Sequence, residues 1–209
     1  MGGSVFAGFR LVISSPYLLG ICVLIVLFTT LSTFLYFQQA QIIRDAFSDS
    51  AKRTAVFAGI DLAVNTLTII IQVFLTGRIV KRLGLSWTLS LVPVILCVGF
   101  LVLGINSILS VLIVVQVVRR AGNYSIMKPA REMLFTVLDR EEKYKAKNFI
   151  DTAIYRGGDA VSAWAYAGLR ASGLSLSSIA FVAVPITLLW AFVSFTLGKK
   201  REEMADGSG

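Results

Sequence analysis

The run LGLSWTLSLVPVILCVGFLVLGINSILSVLIVVQVV, residues 83–118, decides the fold: its 36 consecutive positions carry no charge. The turn Gly104-Ile-Asn-Ser107 divides it into two apolar stretches, the first long enough to cross a membrane as a helix, the second continuing past Arg119 and Arg120 towards Met127. Working outward, uncharged apolar stretches of about twenty residues recur on both sides. Of the 209 residues 56% are apolar and 15% charged, against about 25% charged in a typical soluble domain. The mean hydropathy is +0.78. That composition excludes a disordered chain and argues against a soluble globular one. The fold class expected is an all-α polytopic membrane protein.

Six spans are expected, at about 16–37, 54–76, 86–103, 108–127, 148–169 and 176–197, within a transmembrane domain of residues 16–198. Residues 1–15 and 199–209 flank it, and MGGS at 1–4 and GSG at 207–209 read as linker residues. The first span opens with Pro16 and lacks a small-x-small cleavage site, so it reads as a retained helix. With both termini inside, the inner segments hold thirteen Lys and Arg, the outer segments four, and Arg119, Arg120 and Arg156 lie within spans, which accounts for all twenty. This is a positive-inside bias. The polar stretch 38–53 is the expected outer loop, and the charged stretch 128–147 the expected inner one, with a short interfacial helix at 130–138.

Several chemistries are excluded. There is no histidine, so Ser-His catalysis, histidine metal sites and histidine pH switches fall away. Cys22 and Cys97 both lie in apolar segments and read as buried free thiols. No Walker loop, Gly-x-Gly-x-x-Gly or zinc spacing occurs, so neither metal nor cofactor is expected. The net charge of +8 sits in loops between spans and reads as topology rather than nucleic-acid binding.

Polar residues inside the spans are the functional candidates, because a charge at membrane depth costs at least ~2.5–3.5 kcal/mol unless it faces a cavity or a partner. On the second span Asp61, Asn65, Thr68 and Gln72 form a stripe at helical spacing. The stripe either lines a cavity or hydrogen-bonds neighbouring helices. On the fourth span Gln116, Arg120 and Asn123 share a face, and Arg119 points about 100° away, so one arginine faces inward. A guanidinium there suits phosphate or carboxylate; the other reading is snorkelling to the interface. On the fifth span Asp151, Tyr155 and Asp159 follow at spacings of four. Arg156 is placed to pair with Asp159, and Gly157-Gly158 to admit a neighbouring helix. Arg119, Arg120, Asn123, Arg156, Tyr155, Asn65 and Gln72 are the substrate-binding candidates. Asp61, Asp151 and Asp159 are the candidates for coupling or ion pairing. The loop Gly77-Arg-Ile-Val-Lys81-Arg82-Leu-Gly84 reads either as an ordinary basic loop or as a tight turn closing a helix pair.

That loop resembles the signature loop of the major facilitator superfamily, although Lys81 stands where that family often carries an acid. The stretch Pro129-Ala-Arg-Glu-Met-Leu-Phe135, then Arg140 through Asp151 and Tyr155-Arg-Gly-Gly-Asp159, resembles bacterial membrane proteins related to the ATP/ADP (nucleotide) exchange translocases. With the first span, the resemblance covers nearly the whole chain and maps onto the C-terminal six helices of a twelve-helix transporter. It implies a proton-linked or exchange transporter with a central cavity, in a bacterial inner membrane, with Gly77, Lys81, Arg82 and Gly84 as a gating loop. The expected function is a transporter half moving an anionic solute, such as a nucleotide or phosphate compound, by alternating access. The alternative is a non-transporting membrane half that binds a partner protein. Since relatives carry two six-helix halves, the expected partner is a missing N-terminal half or a second copy in a homodimer.

Overall fold

The computed structural model describes residues 5–206, with side chains from residue 8 onward; the linker-like flanks lie outside the described residues. Among these residues there are helices and short connections and no strand. In chain order they are α1 (Val5–Ser14), α2 (Pro16–Ala46), α3 (Ser50–Phe74), α4 (Thr76–Ile105), α5 (Leu109–Gly122), α6 (Lys128–Leu134), α7 (Arg140–Phe149), α8 (Tyr155–Ala171) and α9 (Leu176–Asp206). A π-helical turn, Asn123–Met127, joins α5 to α6 without a gap, and another, Ile150–Ile154, joins α7 to α8.

Four helices are long and apolar enough to cross a membrane: α2, α3, α4 and α9. The expected spans at 108–127 and 148–169 are not among them. The first carries Arg119 and Arg120 and is divided at its π turn, and the second carries Asp151, Arg156 and Asp159 around the other. Each charge lowers the apolar content, and each π turn breaks the regular ladder.

Local chemistry sets the helix ends. Ser15 Oγ accepts a hydrogen bond from Leu18 N at 3.4 Å, and Pro16 occupies the first helical position of α2. Asp49 caps α3 by accepting from Ala51 N at 2.9 Å. The expected outer loop 38–53 is therefore mostly helix, with residues 47–49 as the link. Gln38 and Gln39 stay helical because they are buried with partners: Gln38 Nε2 donates to Leu176 O, and Gln39 Oε1 accepts from Gln116 Nε2. The expected inner loop 128–147 is likewise mostly helical, with α6 and α7 separated by a 3-10 turn, Phe135–Val137.

The tight turn expected across Gly77 to Gly84 is not formed. Residues 76–83 are helical, Gly77 lies within the first turn, and the backbone breaks at Gly84, with φ 76° and ψ 175°. Beyond the break, α4 packs against α9 in the most extensive contact of the fold. Gly198 sits so close to Ser86 that a Cβ would lie 2.4 Å from Ser86 Cα. Glu202 closes the break: its Oε1 accepts from Leu85 N at 2.8 Å and Ser86 N at 3.4 Å, and its Oε2 from Ser86 Oγ at 2.9 Å. The segment expected as a C-terminal tail thus continues α9 as helix and caps the restarted α4.

α2 packs against α8, α9 and α5. Trp190, Phe100 and Phe135 are among the largest fully buried side chains. By contrast only Ile60 and Val64 of α3 are buried. Outward-facing apolar residues such as Leu62, Val73, Trp164 and Phe192 cover α3, α8 and α9, as on a protein surrounded by lipid. α1 packs on α7, with Phe9 and Phe149 edge to face at 5.8 Å, while Arg10 faces outward.

Candidate functional site

The two π turns flank a cavity of about 390 Å³. The sequence explains the first of them. Pro129 has no N–H, so the carbonyls four and five residues before it, Ser125 O and Tyr124 O, lose their donor. Neighbouring side chains replace it: Thr76 Oγ1 donates to Ser125 O at 2.8 Å and Gln72 Nε2 to Tyr124 O at 3.2 Å. Gln72 thus braces the turn that presents Asn123 and Tyr124 to the cavity.

Three cations line the cavity: Lys128 and Arg131 from α6 and Lys147 from α7. Two carboxylates join them. Glu132 Oε2 lies 2.5 Å from Lys147 Nζ, and Asp151 Oδ1 lies 4.0 Å from Arg131 Nη2. The apolar wall is Phe28 and Tyr155, with ring centroids 6.1 Å apart, and Trp190 backs Phe28 at 5.8 Å. Cations beside aromatic faces form a site for a molecule with both an anionic and a flat part.

The model of the TLC ATP/ADP transporter family matches residues 3–200. The chain belongs to the TLC ATP/ADP transporter family. No curated protein and no solved structure matches it.

In this TLC-family chain Arg119 is the inward-facing arginine of α5, 8% exposed. Its Nε donates to Gln116 Oε1 at 3.0 Å and its Nη1 to Ser32 Oγ. Gln116 in turn donates to Leu35 O and to Gln39 Oε1. Arg119 itself does not line the cavity. Gln116, Arg120 and Asn123, which share a face by spacing, have different partners. Arg120 turns to α3 and pairs with Asp61 at 2.5 Å, Gln116 serves Arg119, and Asn123 lines the cavity. The cause is that α5 is packed between α2 and α3, so neighbouring residues serve different helices.

The other candidates divide. Asp151 and Tyr155 line the cavity. Asp159 accepts from Thr33 Oγ1 at 3.3 Å instead of pairing with Arg156, which is exposed and has no ion-pair partner among the described residues. Gly158 is buried against Thr29, as a close helix approach requires. Asn65 stands exposed on α3, as do Gly77, Lys81 and Arg82 near the start of α4, and none of these lines the cavity. Thr68 Oγ1 is buried without a hydrogen-bond partner.

Sequence reasoning missed Phe28, Tyr124, Lys128, Arg131, Glu132 and Lys147. The cations had been assigned to topology alone. Pro129, set beside a charged helix, was the available signal. Among the described residues there is no cluster of three or more His, Cys, Asp or Glu side chains for a metal. Away from the cavity, the hydrogen bond from Lys145 holds the exposed Glu141 carboxyl below the usual carboxylate range.

Proposed function

We propose that this chain is a nucleotide-exchanging transporter unit that binds the phosphates of its substrate on Lys128, Arg131 and Lys147 and the base against Tyr155, Tyr124 and Phe28. The observation that carries the reading is the meeting of three cations and three aromatic rings in one cavity. Its volume of about 390 Å³ falls within the range of small-molecule sites. Family membership supports a nucleotide over another anion. Arg119, with hydrogen bonds to neutral groups only, adds positive potential without lining the cavity.

The unit is read as one six-helix half of a major-facilitator-type bundle in a bacterial inner membrane. The broken passes 109–134 and 140–171 cross the bilayer around the cavity, and both termini are cytoplasmic. Alternating access follows from rocking this half against another. The exposed polar groups of α3, Asp61, Asn65 and Gln72, support the need for that other half, because their cost in lipid is removed by a protein partner. The partner is a second copy or an N-terminal half.

Purified chain in proteoliposomes loaded with ADP should take up labelled ATP, and Arg131→Gln and Lys147→Gln should abolish the uptake. Failure of exchange while ADP still binds would support the second reading, a non-transporting half, which the same exposed α3 face favours. An impermeant thiol reagent on cells carrying single cysteines at Ser48 or Lys145 should label only the former. Native mass spectrometry in mild detergent should find a dimer where the partner is a second copy, and a stable monomer with its polar groups satisfied by its own helices would refute the need for a partner.

A further inference from the structure

Resting on that reading of the cavity, we propose that Glu132 and Asp151 are built-in counter-ions. They hold the cavity's cations in the empty state and are displaced by the phosphates of the incoming nucleotide.

The pairing is crossed. Glu132, on α6, holds Lys147 on α7, while Asp151, just beyond α7, faces Arg131 on α6. Each carboxylate thus faces a cation supplied from the other side of the α6–α7 connection. The two pairs differ in tightness: 2.5 Å is direct contact, whereas 4.0 Å lies beyond hydrogen-bond distance, so Arg131 is held loosely. Lys128 lines the same cavity with no carboxylate partner among the described residues. Three cations less two carboxylates leave one net positive charge. That is too little for a diphosphate unless a carboxylate lets go. The carboxylates are 39% and 40% exposed and so are free to swing into water once released. Lys128, exposed and without a carboxylate partner, is therefore the point of first contact, Arg131 follows as its loose pair with Asp151 opens, and Lys147 is reached only by breaking its contact with Glu132.

The crossed pairs also join α6 to the segment that follows the α6–α7 connection. A ligand that displaces both carboxylates releases α6 from the second π turn, which ties occupancy to the freedom of that helix pair. A ligand without phosphates has no such effect.

The test is equilibrium binding of ADP and of adenosine to the 209-residue chain in nanodiscs, for wild type, Glu132→Gln, Asp151→Asn and the double variant. Removing one competing carboxylate should tighten ADP about fivefold, and the double variant more. Adenosine affinity should not change. The amide replacements keep the side-chain shape, and a gain of affinity cannot come from misfolding. ADP binding that is unchanged or weakened in both single variants would overturn the counter-ion assignment while leaving the site reading standing. An equal gain for adenosine would also overturn it, because the carboxylates would then be acting on cavity shape. ADP binding by the double variant where wild type shows none would support the proposal. If neither binds ADP, the cavity is not the nucleotide site, and both readings fall.

Discussion

Replacing Gly198 by alanine should loosen the packing of α9 against α4. The new Cβ would lie 2.4 Å from Ser86 Cα, 2.7 Å from Ser86 N and 3.0 Å from Ser86 Oγ, where ordinary contact begins at 3.4 Å. Two of those atoms are backbone, so no rotamer change relieves the overlap, and α4 and α9 must separate by about 1 Å near this point. Overpacking of this kind costs about 1–3 kcal/mol. The separation also acts one turn further along α9, where the 2.8 Å bond from Leu85 N to Glu202 would be stretched past useful length. Together the loss should be about 2–4 kcal/mol, equivalent to a fall in melting temperature of about 5–15 °C for a chain of this size. A thiol-reactive dye can follow the unfolding, because Cys22 is buried in the native state. Gly77→Ala is the control: a Cβ there meets nothing within 4 Å and lies in helix, so stability should hold or rise. A Gly198→Ala melting point within about 1 °C of wild type would refute the reasoning about backbone contact.

Glu202→Gln should lower stability by about 1–2 kcal/mol, because a neutral amide is a weaker acceptor for two backbone N–H groups and a hydroxyl; an unchanged melting curve would show the clamp to be idle. A double-mutant cycle on Asp61→Asn and Arg120→Gln should give a coupling of about 1 kcal/mol or less for the isolated chain, because the carboxylate side chain is 56% exposed; a coupling several times larger would mean that α3 is already covered. Arg119→Lys should cost about 1–2 kcal/mol, since an ammonium cannot keep both the Gln116 and Ser32 bonds in the guanidinium's geometry; equal stability would indicate that one bond suffices.

The membrane character and most helix positions were legible because hydropathy acts over whole helices. The break after Ile105 was readable from Gly104 to Ser107, and the polar stripe of α3 from spacing alone. The break at Gly84 was not legible as a single point because two glycines bracket the basic residues and spacing does not say which one bends. Side-chain partners were harder to read. Arg119 and Arg120 are equivalent by composition, and their separate roles depend on α2 and α3 lying on either side of α5. Arg156 and Asp159 have ideal spacing for a pair, yet Thr33 from a helix far away in sequence takes the acid. The cavity cations escaped notice because local sequence cannot separate a basic loop that marks topology from a basic helix that meets aromatic rings.

The Glu202 clamp has a consequence for how the protein is made. Glu202 caps a helix whose first residues left the ribosome 116 residues earlier. At roughly 5–20 residues per second, that interval is about 6–23 s. Throughout it, the N–H groups of Leu85 and Ser86 wait without this carboxylate, and α4 lacks the helix that covers its buried face. The third long helix therefore enters the membrane as an incomplete element, and α9, made later, fixes it in place. A ribosome stalled before residue 198 should hold a chain whose early helices have inserted but whose bundle is still open.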